Sequence, residues 1–309
     1  MTHFDSQTYI RYLIAKQSID DRSLNGHVRL RLTQCLPRTI SNRPLKVVEI
    51  GAGIGTMIDR AIKWQLAHKV HYTAIEKEPD FVQVLRQRFS DPYLLTGCRT
   101  EQIDADKVRI QGPFGVWTVA ARCTDIYDVM TPPPSEAADL LVAHAVMDLL
   151  NVERVLPVLC DLVRPGGLLY LSLNYNGNTR FLPKQPRPFE AHAMRRYDIS
   201  MDQRRIDGRP SGHSRTGCRL LAVLAPLGLS LVATGSSDWL VHPIDGRYPD
   251  DDQFFLEVIV RTIFKTLKDD TTVDQHALKQ WQRIRQDQIR SAGLIYMAHN
   301  LDLLIRTPR

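Results

Sequence analysis

The residues best suited to hold a ligand are three glycines at alternate positions with a carboxylate just ahead of them. They stand in Lys46-Val47-Val48-Glu49-Ile50-Gly51-Ala52-Gly53-Ile54-Gly55-Thr56. Lacking a Cβ, such glycines take positive φ and let a ligand come close to the backbone. A dinucleotide cradle asks for Gly-x-Gly-x-x-Gly, the third glycine admitting close packing of helix on strand. Here Gly55 comes one residue early, and Thr56 stands where that fingerprint has glycine or alanine. Glu49 is a poor neighbour for a pyrophosphate and a good one for an ammonium or sulfonium. A second acid, Glu76, closes the apolar run Val70-His71-Tyr72-Thr73-Ala74-Ile75. A carboxylate there can accept from both hydroxyls of a ribose.

The pattern Glu49-x-Gly51-x-Gly53-x-Gly55 resembles motif I of the class I S-adenosylmethionine (SAM) methyltransferases. Three further features stand in the family's order: Glu76, the pair Asp125-Ile126, and Arg164-Pro165-Gly166-Gly167-x-Leu169 ahead of another strand. The resemblance covers residues 44–173 and extends weakly to 293–305, the place of the family's antiparallel final strand. It implies an α/β fold, a seven-stranded doubly wound Rossmann-like methyltransferase sheet, with SAM as cofactor and S-adenosylhomocysteine as product. Carried over residue by residue, it implies cofactor contacts from Glu49, Gly51, Ala52, Gly53, Gly55, Glu76, Lys77, Asp125, Ile126 and His144. Asp125 would accept from the adenine amine and Ile126 would cover the ring. His144 ends the fourth strand, where the family puts its acceptor, and is the candidate general base. The Asn/Asp-Pro-Pro-Tyr/Phe signature of amino-group methyltransferases is absent; residues 142–146 read Val-Ala-His-Ala-Val. That counts against a nucleobase amine as acceptor.

These residues need elements to carry them. Hydrophobic patterning predicts strands over 46–50, 70–76, 138–144, 168–173 and 229–241, and a short strand followed by an acid within 117–126, with helices between them. Residues 5–36 read as two helices, the acids of Asp20-Asp21 capping the second. Tyr9, Tyr12 and Arg22 on that segment are candidates to touch the ligand. The chain divides into a helical cap (1–43), a SAM-binding core (44–173), a basic lid (174–213) and the rest of the core (214–309). The last part holds a two-helix insertion, about 242–292, before the final strand. Asp250-Asp251-Asp252 reads as the cap of its first helix. These helices either roof the acceptor site or form a homodimer surface. The polar run 281–287 reads as an exposed face.

Composition narrows the setting. The longest apolar stretch, 220–232, is too short to span a bilayer and contains Pro226 and Gly228. Met1-Thr2-His3-Phe4-Asp5 has neither the basic start nor the apolar core of a signal peptide. Five cysteines are scattered without a Cys-x-x-Cys pair, which points to a reducing, cytoplasmic compartment and to no metal site. The net charge of +6 concentrates in residues 180–219, just after the fifth strand. Arginine pairs bidentately with carboxylate or phosphate, so the lid suits a small anionic acceptor, with Tyr175, Arg204, Arg205 and His213 as substrate-binding candidates. Two alternatives stay open: an RNA or protein methyltransferase docking through this basic lid, and a SAM-binding protein without catalysis.

Overall fold

The computed structural model describes residues 5–36, 43–90, 97–133, 135–185, 188–206 and 208–309. Of residues 1–5, read above for a leader, all but Asp5 lie outside the described residues. Two helices open the chain, α1 (Ser6–Ser23) and α2 (Gly26–Cys35). Next come β1 (Leu45–Ile50), α3 (Thr56–Lys63), β2 (Lys69–Glu76) and α4 (Pro79–Ser90). A hairpin of β3 (Arg99–Asp104) and β4 (Lys107–Gly112) leads into β5 (Gly115–Cys123). Then follow β6 (Ala138–His144), α5 (Val152–Asp161), the long β7 (Val163–Leu182) and α6 (Phe189–Asp202). A small hairpin, β8 (Arg205–Ile206) and β9 (Arg209–Pro210), precedes α7 (Thr216–Val223), β10 (Ser230–Ser236) and β11 (Trp239–Val241). Two antiparallel-sheet-flanking helices, α8 (Asp252–Leu267) and α9 (Gln275–Arg290), lead to β12 (Ile295–Arg306).

The sheet runs β10-β12-β7-β6-β1-β2-β5-β4-β3, with β11 beside β12. Strands β1, β2, β5, β6 and β7 pair in parallel, and β12 lies antiparallel to both β7 and β10. β1 pairs with β2 on one side and β6 on the other, so successive crossovers leave it in opposite directions. A crevice opens at such a switch, outside the carboxyl ends of the strands. β6 is buried along its whole length, as a parallel strand covered by helices on both faces must be.

Among the described residues the sheet has ten strands, where seven were expected. Part of the surplus is the β3–β4 hairpin, which extends the β5 edge. Val108 and Ile110 of β4 are buried opposite Val119 and Trp117, while their neighbours along β4 face solvent. That alternation is the signal the sequence analysis missed. β11 is the third addition; the expected strand 229–241 divides at Ser237-Asp238 into β10 and β11.

β7 also continues past the expected end at residue 173. Leu173 takes φ +54, and its N–H donates to the buried Asp302 carboxylate at 2.8 Å instead of to the ladder. Beyond this bend Thr179 and Phe181 pair with Ala298 and Tyr296 of β12. The twelve-residue β12 thereby finds backbone partners along its length.

A hydrophobic cluster at this end joins Tyr175 and Phe181 of β7, Ala193 of α6, Phe255 of α8, Trp281 of α9 and Tyr296 of β12. The basic insertion is therefore anchored in a second core and is not a bare flap. Its apolar partners come from distant segments, so it shows little periodicity of its own. Trp281 and Arg285, expected on an exposed face, are fully buried. Trp281 Nε1 donates to Glu190 at 2.7 Å; Arg285 also pairs with Glu190 and donates to the Pro183 carbonyl at 2.9 Å.

Gly55 heads α3 with φ +83. A Cβ there would stand 2.7 Å from Phe89 Cε2 and 3.1 Å from Leu85 Cγ. Gly55→Ala is therefore expected to cost about 2–4 kcal/mol, from the left-handed backbone and the overpacking together. Urea unfolding should show a lower midpoint at unchanged slope; a midpoint equal to the wild type would refute this packing.

Candidate active site

The carboxyl end of β1 and the loop after it form the cradle. Ala52 N donates to the Ile75 carbonyl at 3.1 Å, which ties the loop to β2. Glu76 completes the tie: Oε2 accepts from Gly53 N at 2.9 Å, and Oε1 from Lys77 N and Glu78 N at 2.8 and 3.0 Å. Burial pushes the Glu76 carboxyl up, and these three N–H donors oppose the shift. A carboxylate has about four acceptor sites, so one remains for a ligand hydroxyl. Gly51 is needed for close packing, since a Cβ would come 2.5 Å from Val146 Cγ2. Glu49 is buried, and its Oε2 accepts from Tyr72 OH at 2.8 Å. Burial raises its carboxyl to about 8, against the Tyr72 hydrogen bond and the field of Arg60. Burial thus favours the protonated form of Glu49.

The floor is a buried polar network. Asp20 of α1 pairs with Lys16 one turn earlier and accepts from Trp239 Nε1 at 3.0 Å. His144 Nε2 stands 3.1 Å from both Asp20 Oδ2 and Arg60 Nη1, and its Nδ1 lies 2.9 Å from Ser172 Oγ. Burial raises the Asp20 carboxyl, but Lys16, His144 and Arg60 outweigh it and hold the group well below the carboxylate range. Arg60 further bonds Asp21 and the Gln17 carbonyl, joining α3 to α1. Asp20 and Asp21 thus face α3, and Asn25 caps α2 by accepting from Val28 N at 3.0 Å. Burial and then Arg60 lower His144 to about 4, with Asp20 pulling the other way. Both ring nitrogens face protein partners, which suits positioning better than proton abstraction.

These elements enclose a cavity of about 790 Å³, within the range of small-molecule sites. Tyr9, Tyr12, Leu13 and Lys16 of α1 border it, and Val258, Ile259 and Thr262 of α8 roof it. Arg22 does not reach it; Arg22 donates to Asp252 at 2.6 Å while Arg11 takes Asp251 at 2.7 Å. These two acids therefore pin α1 to α8 and make no side-chain cap on α8.

Glu49, Gly51, Ala52, Gly53, Glu76, Lys77, Asp125, Ile126 and His144 all line the cavity. Asp125 accepts from Tyr127 N at 3.0 Å, and Ile126 is buried beside it. Gly55 lies behind the loop against Phe89. Tyr175 and Arg204 also line the cavity, Tyr175 OH donating to Asp198 at 3.0 Å. Arg205 and His213 lie outside the lining residues: Arg205 is exposed and donates to the Gly208 carbonyl at 3.1 Å, and His213 Nδ1 accepts from Arg215 N at 2.9 Å. Tyr197 and Arg209 of the basic insertion also line the cavity, and the residues that the sequence analysis missed are Lys16, Asp20, Trp239 and Tyr296. Only folding brings them to the site, and no local motif marks them. Among the described residues no three His, Cys, Asp or Glu side chains are placed to hold one metal ion.

No family model matches the chain, and no curated protein sequence matches it. Among solved structures, the cyclopropane synthase MmaA2 from Mycobacterium tuberculosis is similar at 11% identity over 91% of this chain and 83% of its own, with TM-score 0.44. A putative sarcosine dimethylglycine methyltransferase from Galdieria sulphuraria is similar at 11% over 99% and 92%, with TM-score 0.44. The plantazolicin methyltransferase BpumL, solved with S-adenosylhomocysteine, is similar at 13% over 98% and 88%, with TM-score 0.44. The chain has a Rossmann-like α/β fold: its own parallel strands, glycine turn and reversed last strand carry that assignment.

Because folding keeps His144 neutral, the stability it supports is whole above its ordinary value of 6.5 and is lost as pH falls towards about 4. His144→Gln should unfold with a flatter pH dependence than the wild type across that interval. Parallel curves in urea titrations at several pH values would contradict this.

Proposed function

We propose that the chain is a SAM-dependent methyltransferase acting on a small acceptor that bears an anionic group. The observation that carries this reading is the pairing of two buried acids around one glycine loop, Glu49 beneath it and Glu76 bonded to Gly53 N at 2.9 Å. Those residues suit SAM: Glu49 would face its ammonium, Glu76 keeps one acceptor site for a ribose hydroxyl, and Ile126 would offer an apolar face to adenine. Bound there, SAM would supply a methyl already activated by a sulfonium, so positioning and desolvation do most of the remaining work. The chain provides both through α1 and α8, whose pinning by Arg11 and Arg22 covers the cavity.

Arg204 supports the anionic acceptor, since among the described residues no carboxylate stands within ion-pair distance of it while it borders the cavity. A roofed cavity favours a small molecule over a docked macromolecule. No helix among the described residues is long and apolar enough to cross a membrane.

Isothermal titration decides the cofactor. SAM and S-adenosylhomocysteine should bind, and Glu76→Ala should weaken both about tenfold or more, the worth of charge-assisted hydrogen bonds. Binding of NADH in their place would overturn the proposal.

A further inference from the structure

We propose that the acceptor end of the cavity takes a zwitterion, its amine held as a cation by Asp148 among tyrosine rings and its acid group by Arg204. This rests on the methyltransferase reading and names the class of molecule that would meet the cofactor.

Asp148 lies in the short turn after β6 and borders the cavity. Its Oδ1 is sealed from solvent and has no hydrogen-bond partner. Buried polar atoms are nearly always paired, and an unpaired carboxylate oxygen is costly. The buried lysine of the site cannot meet that need, because Lys16 is committed to Asp20. Burial raises the Asp148 carboxyl, and the field of Arg204, a hydrogen bond from the backbone of Asp148 itself and the field of Lys16 only partly offset it.

Arg204 faces the same space. Its field acts on Asp148, Tyr9 and Tyr197, yet it makes no ion pair with Asp148. Asp148 and Arg204 thus border a single chamber without pairing with each other, and Arg209 lines the same cavity. A simple anion would be repelled by Asp148, a simple cation by Arg204, and a neutral ligand would leave both unsatisfied. A molecule with both charges serves both.

The walls favour the same class. Tyr9, Tyr12, Tyr197, Trp239 and Tyr296 surround the chamber, and electron-rich rings attract cations. One ammonium already uses this wall: Lys16 Nζ lies 5.3 Å from the Trp239 ring centroid.

The test compares glycine betaine with 3,3-dimethylbutanoate, which replaces the cationic nitrogen by carbon at the same shape and keeps the carboxylate. Both are titrated into protein saturated with S-adenosylhomocysteine. Betaine should bind about tenfold or more tighter. Asp148→Asn should bring the ratio close to one without changing affinity for S-adenosylhomocysteine, and Arg204→Ala should weaken both probes. Equal affinities in the wild type, a preference for dimethylbutanoate, or binding of neither probe would overturn the proposal. Should S-adenosylhomocysteine itself fail to bind, the cofactor reading falls, and the same comparison on the free protein still decides this one.

Discussion

Burying carboxylates in one cavity is the constraint on which this molecule depends. Charge taken out of water must find partners or give up its charge, and the acids here meet that demand to different degrees. Asp20 is fully met, by Lys16, Trp239 and the neighbourhood of His144 and Arg60. Glu76 is largely met by backbone N–H groups. Glu49 has the Tyr72 hydroxyl and retains a proton. Asp148 has an oxygen with nothing. The satisfied acids belong to the scaffold. Those left wanting mark where a cationic ligand would find its partners.

The fold exists to hold these acids in one place. Glu49, Glu76 and His144 stand at the carboxyl ends of β1, β2 and β6, side by side in the sheet. The Asp20–Arg60 network then brings α1 over them, and Arg22 with Asp252 carries the enclosure on to α8. The basic insertion is fastened from behind, where Glu190 of α6 meets the buried Arg285 and Trp281 of α9. Each fastening is a charge or hydrogen bond between segments far apart in the chain. The enclosure is therefore a tertiary property, formed only when the sheet has formed.

That explains what could be read in advance. The glycine turn, Glu76 and Asp125-Ile126 are local patterns, and their places follow from strand–turn–helix order. Gly55 belonged to the pattern but serves the packing of α3 on Phe89. Arg285 looked like surface because nothing near it in sequence neutralises it; its partner lies ninety-five positions away. His144 looked like a base from its strand end alone, whereas its surroundings come from α1, α3 and β7. Arg204 and Arg205 are indistinguishable as neighbours, and only the path of the chain into the β8–β9 hairpin separates them. The extra strands lay outside the family pattern, and only the alternation in 107–111 announced one of them.

The central claim is that the cradle receives a cation beside Glu49, and proton linkage tests it most directly. An ammonium there favours the carboxylate, so a group near 8 must lose its proton as the ligand arrives. Titrating SAM into the protein at pH 7, in buffers of different ionisation heat, should report close to one proton released per ligand bound. Affinity should rise between pH 6 and 8, and Glu49→Gln should abolish both effects. SAM binding with no proton released, at an affinity independent of pH, would contradict the account.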